Sequence, residues 1–342
     1  MKTYLNAGII GLGGISRSHI SALKDMPECR IAAVCDIDEA KVKSVTEETG
    51  ADGYTDWKAL IMRDDIDIVH ICTPHHLHAP MAIDALKAGK HVLTEKPMAS
   101  EKADALEMIR VAKNAPGTLN VIFQNRYNAS TVELKRIIDS GAPGKLICTR
   151  AIVTWHRTAE YYTLSGWRGS FETEGGGSLI NQSIHTLDLM SYLGGKIRRV
   201  KGHVSTDLLE GVIEVEDNCH AVVEYENGAT GVIYTTNNYG ISAPIMLEMV
   251  FENATYQLCT EKLYQIVDGE QIALVNGKEA KHLKEKSYWG DSHKIEIQKL
   301  YDCILSGQPF EIDGESGYPA LELVKSIYES SACGKWVTLT GV

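Results

Sequence analysis

Short apolar runs alternate with helix-forming segments over the first third of the chain. The runs are Ala7–Ile10, Ile31–Cys35, Ile66–Cys72, His91–Leu93 and Leu119–Phe123. Between them lie His19–Met26, Asp38–Glu48, Ala79–Ala88 and Glu101–Lys113. Strands covered on both faces read as unbroken apolar runs, and crossover helices separate parallel strands. The pattern predicts an α/β fold with a doubly wound parallel sheet.

From Lys145 onward strands dominate. Leu146–Trp155 alternates, and Ala221–Tyr225 and Thr230–Tyr234 flank Glu226-Asn227-Gly228-Ala229, a hairpin signal. Ile245–Phe251 and Tyr256–Cys259 form a second pair, Tyr264–Val267 and Ile272–Val275 are further strands, and helices return at His293–Ser306 and Pro319–Ser331. A chain of 342 residues is large for one core, so two domains are expected, 1–123 and 124–342.

Charge narrows the partners. The formal net charge of -11 argues against nucleic acid and anionic membranes, which call for a basic face. The eight cysteines are scattered with no C-x-x-C pair, which suits a reduced, cytoplasmic protein. The opening apolar run is too short for a signal peptide, and no stretch approaches the roughly 20 apolar residues of a membrane span.

The first predicted strand ends in Gly11-Leu12-Gly13-Gly14-Ile15-Ser16, a dinucleotide-binding loop in which serine replaces the last glycine. Gly11 allows the tight turn, and Gly13 lets the backbone approach a pyrophosphate at a helix N-terminus. Asp36 closes the second strand, where a carboxylate accepts hydrogen bonds from ribose hydroxyls and repels a 2'-phosphate. NAD is therefore expected over NADP. His75, His76 and His78 follow Thr73-Pro74 at a strand's carboxyl end, where a nucleotide sheet carries its ligand loop. No companion cluster at a familiar spacing supports a metal, and none is expected.

Two distant pieces carry the chemistry. Thr94-Glu95-Lys96-Pro97 ends an apolar strand, and Gly175-Gly176-Gly177 leads into a helix bearing Asn181, His185 and Asp188. Nicotinamide is cationic when oxidised, so a nearby lysine deprotonates more easily. Lys96 can then hold the substrate oxygen and help move its proton. Helical spacing puts Asn181 and His185 on one face with Asp188 a further turn along, and Leu179, Ile184 and Leu187 on the packing side. His185 is a candidate general base for oxidation and acid for reduction. The segment from Trp155 to Arg168 is dense in aromatics and arginines, which stack on sugar surfaces and fork onto hydroxyls or carboxylates. Arg126, Arg157 and Tyr161 are the substrate candidates, with Asn181 and His185.

These motifs, with Gln124-Asn125-Arg126-Tyr127, Trp167-Arg168, Asp313-Gly314…Tyr318 and Tyr328-Glu329-Ser330-Ser331, resemble the glucose–fructose oxidoreductase/inositol dehydrogenase (Gfo/Idh/MocA) family over essentially the whole chain. The resemblance implies an N-terminal Rossmann domain and a C-terminal α/β domain with a large open sheet. It implies an NAD(P)-dependent dehydrogenase or reductase acting on a carbinol of a sugar, cyclitol or related polyol. The cofactor residues it implies are Gly11, Gly13, Gly14, Ile15, Asp36, Thr73, Pro74, His75, His78, Glu95, Lys96, Trp167 and Arg168. It further implies pairing of subunits sheet to sheet, as a homodimer or homotetramer. Many relatives carry aspartate where Asn181 stands. Asparagine cannot supply the negative charge that would raise the pKa of His185, which leaves Lys96 and His185 the proton work and Asn181 a hydroxyl to orient. An NAD-dependent glycosidase and a non-catalytic NAD-responsive regulator are the alternatives on this fold.

Overall fold

The first sheet is wholly parallel and runs in the order β3-β2-β1-β4-β5-β6. Its strands are β1 (Leu5–Ile10), β2 (Cys29–Cys35), β3 (Asp52–Tyr54), β4 (Ile68–Ile71), β5 (His91–Thr94) and β6 (Leu119–Val121). The computed structural model describes residues 2–277 and 292–342. Helices α1 (Ser16–Lys24), α2 (Glu39–Thr49), α3 (Trp57–Ile61), α4 (His78–Lys87) and α5 (Lys102–Ala112) make the crossovers. Ala7, Ile9, Ile68, Val69 and Ile71 are wholly buried, as the unbroken apolar runs require. Each isoleucine or valine side chain so buried contributes about 1.5–3 kcal/mol. α2 shows why these helices start and stop where they do. The Asp38 carboxylate caps it by accepting from the amides of Ala40 and Lys41, and Gly50 ends it with φ 71°.

Strand order reverses between β1 and β4, which opens a crevice at the carboxyl ends of the strands. β3 and α3 were not foreseen, because three- and five-residue elements are too short to show a period.

The second sheet is mixed and nine-stranded, ordered β14-β13-β12-β11-β7-β10-β9-β8-β15. Its strands are β7 (Leu146–Thr154), β8 (Ile197–Ser205), β9 (Asn218–Tyr225), β10 (Thr230–Thr236), β11 (Met246–Phe251), β12 (Thr255–Cys259), β13 (Lys262–Val267), β14 (Glu270–Val275) and β15 (Val337–Thr338). Only the β7–β10 pair is parallel. The β9–β10 hairpin turns on Gly228 at φ 88°, with the Asn227 side chain accepting from the Ala229 amide. With this sheet go α6 (Ala129–Asp139), α7 (Ala159–Thr163) and α8 (Ile184–Gly194). The late helices are α9 (Ser292–Ser306) and α10 (Gly314–Cys333).

The chain packs as two units. The first takes in residues up to Gln124 and also the described stretch from Ser292 to Tyr318, which a linear boundary at 123/124 leaves on the other side. The physical reason lies in α9, whose His293 and Tyr301 enter a buried polar chain beneath the first sheet.

Candidate active site

Each unit carries part of the predicted constellation, and each part is built locally. In the first, Gly11 adopts φ 89°, and a Cβ there would lie 2.7 Å from the Cys72 carbonyl group, so glycine is required. A Cβ on Gly13 would meet no protein atom within 4 Å, which leaves the approach to the loop open. Gly14 is exposed and Ile15 half-buried at the start of α1. That helix has neither a side-chain cap nor an acidic residue in its first turn, so its positive end is not neutralised locally. Ser16 is buried and donates to the Gly13 carbonyl at 2.7 Å, which explains how serine serves where glycine is usual. Asp36 accepts from the Leu12 amide at 2.7 Å and the Asp38 amide at 2.9 Å, fixing the carboxylate beside the loop. An open glycine loop, an uncompensated helix start and a tethered carboxylate fit NAD.

At the carboxyl end of β4, Thr73 and Pro74 are half-buried and His75 is buried. The His78 ring has Nδ1 2.7 Å from the Pro97 carbonyl and Nε2 2.8 Å from the Thr73 carbonyl. It ties the loop after β4 to the loop after β5, and burial lowers its pKa. The Lys96–Pro97 peptide bond is cis, and Lys96 is buried at the end of β5.

Glu95, which the sequence assigns to the cofactor, is committed to protein. Its Oε1 accepts from Nε2 of His19 at 3.1 Å and Nε2 of His293 at 3.3 Å. A carboxylate only accepts, so both rings present N–H to it. His19 Nδ1 then accepts from His70 Nδ1 at 2.8 Å, and His70 Nε2 accepts from the Tyr301 hydroxyl at 2.9 Å. Burial alone would raise the pKa of Glu95, but the two histidine donors outweigh it and hold the group well below the usual carboxylate range. Burial drives His70 well below its ordinary value, so that ring is neutral, as the chain of donors requires. Ligand-type atoms of His19, Glu95 and His293 lie within 4.8 Å of one another, and these hydrogen bonds account for the cluster.

In the second unit, the glycine triplet is shaped by its surroundings. A Cβ on Gly177 would fall 1.9 Å from the Glu216 carbonyl oxygen, and one on Gly176 would fall 2.1 Å from the Tyr328 hydroxyl. The buried Glu216 carboxylate accepts from the amides of Gly177 and Leu179 and from the Tyr328 hydroxyl, each at 2.8 Å. Ser178–Ser183 is a π-helical turn that passes into α8, a corrected reading of the regular helix expected there. Such turns widen the helix, so Asn181 and His185 are not simply stacked one turn apart. Leu179, Ile184 and Leu187 are wholly buried, as expected, and His185 is 8% exposed.

The side-chain partners differ from the sequence reading. Asn181 Nδ2 donates to Glu174 Oε1 at 2.5 Å. Asp188 does not extend the Asn181 and His185 line; it pairs with Arg126, whose guanidinium forks onto it and lies 4.8 Å from the centre of the Tyr192 ring. Arg126, expected to meet substrate, is thus held by a buried carboxylate.

The remaining candidates form one stack. The Arg168 guanidinium lies 4.5 Å from the centre of the Tyr161 ring and 4.6 Å from Trp167, and that of Arg157 lies 5.1 Å from Tyr161 and 4.9 Å from Trp155. Gln182 donates to the Tyr161 hydroxyl at 3.0 Å. Trp167 and Arg168, expected at the cofactor, and Arg157 and Tyr161, expected at the substrate, are therefore one cluster. Among the described residues, neither Arg157 nor Arg168 has a carboxylate ion-pair partner.

Glu174 and Glu216 were missed. The only sequence signal for Glu174 is an acidic residue directly before three glycines, and Glu216 gives none.

Comparison with known proteins places the chain. Residues 5–123 match the model of an oxidoreductase family with an NAD-binding Rossmann fold, and residues 131–257 match the GFO/IDH/MocA C-terminal domain. D-glucoside 3-dehydrogenase of Escherichia coli K12 is 27% identical, covering 98% of this chain and 97% of its own. Myo-inositol 2-dehydrogenase of Thermotoga maritima is 26% identical over 93% of this chain and 94% of its own. The WlbA dehydrogenase of Bordetella pertussis, solved with NADH and UDP-GlcNAcA, superposes with a TM-score of 0.89 at 27% identity, covering 99% of each chain. The chain belongs to the GFO/IDH/MocA family, and it is an oxidoreductase whose cofactor is NAD.

Proposed function

We propose that this family member oxidises or reduces a carbinol carbon of a sugar, cyclitol or related polyol, with Lys96 and His185 carrying the proton. The observation that carries the reading is Lys96, buried at the carboxyl end of β5 in a parallel nucleotide-binding sheet. Such sheets bind their ligands at that end. Residues 1–123 are assigned to NAD and 124–342 to substrate and subunit pairing.

Gly11, Gly13, Gly14, Ile15 and Asp36 would hold the dinucleotide, with Thr73, Pro74 and His75 beside it. Bound NAD supplies the group that takes up or returns a hydride at the substrate carbon. Lys96 holds the substrate oxygen. His185 takes the hydroxyl proton in oxidation and returns it in reduction, while Asn181 orients the hydroxyl. Glu95 and His78 act through the protein, fixing the turn that carries Lys96. Arg126 likewise acts through Asp188, on the helix that carries His185.

The substrate surface is the Trp155, Arg157, Tyr161, Trp167 and Arg168 stack. Rings suit sugar C–H faces, and two guanidinium groups suit an anionic substituent. UDP-GlcNAcA, carried over from the Bordetella pertussis dehydrogenase, is the first charged candidate. The test is NAD reduction against matched neutral and anionic sugars and cyclitols. Activity on the set supports the reading, and Arg157→Ala should raise KM for the anionic members selectively. A silent set with NAD bound overturns it.

The protein is further proposed to be cytoplasmic and to pair through its open sheet. Val222 on β9 and Val232 on β10 sit opposite each other and are 41% and 47% exposed, an apolar patch that pairing would cover. Among the described residues no helix is long and apolar enough to cross a membrane. A net charge of -11 disfavours nucleic acid. Light scattering that finds only a 37.6 kDa species would rule pairing out.

A further inference from the structure

The first amides of a helix have no partner inside it, and a side chain of the same segment usually takes one of them. The turn that leads into α8 is capped from elsewhere. Gly177, at its start, has no side chain to offer. Its amide and those of Ser178 and Leu179 all go to Glu216, which lies 39 residues beyond Gly177. The Glu216 carboxylate accepts from the first and third at 2.8 Å each, and its main-chain carbonyl accepts from the second at 3.1 Å. Tyr328 of α10 donates its hydroxyl to the same carboxylate at 2.8 Å, and the Ser178 hydroxyl lies 3.5 Å from it. The glutamate is 2% exposed.

This clamp sits where register is decided. Ser178–Ser183 is π-helical, and α8 begins at Ile184. A π-turn holds one residue more than the α-helical turn it replaces. Relaxed to a regular helix, the segment would turn all that follows by about 100°, the rotation of one residue. His185 lies directly beyond that turn.

We propose that Glu216 is a positioning residue for the reaction: by capping the π-turn from outside, it fixes the rotation of α8 and so the placement of His185. The inference rests on the reading of His185 as a proton carrier. Glu216 acts through the turn and takes no part in bond making.

The role calls for a carboxylate. Main-chain amides only donate and an ionised carboxyl only accepts, so one group meets two amides at once. Glutamine has the same shape but a single oxygen. Whichever way it turns, its NH2 faces the Gly177 or the Leu179 amide, donor against donor. Burial raises the Glu216 pKa, and the Leu179 amide, the Tyr328 hydroxyl and the Gly177 amide oppose the rise.

The experiment compares the wild-type protein with Glu216→Gln and with Tyr328→Phe, which removes one donor and keeps the carboxylate and both amides. In protein labelled with 13C in its histidine rings, the His185 resonance is the one missing from His185→Gln. It should move in Glu216→Gln, and by a smaller step in Tyr328→Phe, while the resonance of His70 in the first unit stays in place. Turnover of the best carbinol substrate is then measured per molecule of bound NAD, which divides out unfolded protein. In Glu216→Gln kcat should fall about 10–100-fold, the effect of a misplacement of about 1 Å, with NAD affinity kept. In Tyr328→Phe the loss should be about threefold. An unmoved His185 resonance, an equal movement of His70, or an unchanged kcat in folded Glu216→Gln overturns the proposal. If that variant does not fold, the same results in Tyr328→Phe overturn it. The resonance arm needs no substrate: a His185 that moves in a protein with no turnover leaves the positioning intact and removes only the proton reading, so the two failures are distinguishable.

Discussion

Arg126 and Asp188 lock together through two parallel hydrogen bonds, Nε to Oδ2 at 2.9 Å and Nη2 to Oδ1 at 2.5 Å, with side chains only 9% and 3% exposed. Asp188 sits three residues beyond His185 on α8, so the pair pins the helix that carries the proposed base. Burying two charges is costly, and breaking such a pair from one side leaves the other charge without compensation. Asp188→Ala should therefore cost about 3–5 kcal/mol. Thermal melting checks it, with a fall on the order of 6–20 °C expected for a unit of this size. An apolar replacement of both partners should recover much of the loss. A single variant that melts with the wild-type protein would show that the pair does not hold α8.

Glu95 offers a second test, through pH. Its folded pKa is depressed, so its contribution is present above the ordinary carboxylate value and is lost as pH falls through the depressed one. Glu95→Gln should be destabilised at pH 7 by about 1.5–3 kcal/mol for each charge-assisted hydrogen bond weakened. Urea unfolding at pH 7, 5 and 3 should show the gap to wild type closing in acid. A gap that widens in acid would mean that Glu95 is buried uncharged.

Glu174 has the opposite sign. Its folded pKa is raised to about 7, so the stability it contributes is complete below the ordinary value of 4.5 and is lost as pH rises through about 7. Glu174→Gln should gain on the wild-type protein by about 2–3 kcal/mol between pH 5 and pH 8. Melting curves across that range measure it, and parallel curves would place the carboxyl in an ordinary environment.

How much of this could be read from the chain depends on what holds each feature together. The parallel sheet was legible because Ile68, Val69 and Ile71 are buried on both faces, and burial of that kind writes an unbroken apolar run. The glycine loop and Asp36 were legible because their spacing is a local consequence of strand, turn and helix. Arg126 was read toward substrate because an arginine with a distant partner looks the same in sequence as one without. The bond that commits it spans 62 residues, and Asn181 meets Glu174 across the glycine triplet, where the Gly177 amide donates to Glu216. His19, His70 and Tyr301 were invisible for the same reason: their chain joins α1, β4 and α9.

Cofactor choice gives a further prediction. Asp36 is anchored by the amides of Leu12 and Asp38, with the Lys41 ammonium 3.9 Å away. Asp36→Ser should remove the repulsion of a 2'-phosphate and the charged acceptor for ribose together. The ratio of kcat/KM for NAD to that for NADP should fall about tenfold or more, the worth of one hydrogen bond to a charged group. An unchanged ratio would mean that Asp36 only braces the loop.

The most direct measurement is NAD reduction by the best carbinol substrate, with NAD affinity measured by calorimetry, in wild-type protein, Lys96→Ala and His185→Ala. Removing a general acid–base group should lower kcat by about 10²–10⁴-fold. Both variants are expected to show that loss while binding NAD as the wild-type protein does. Turnover that survives in both would contradict the assignment of the proton to Lys96 and His185.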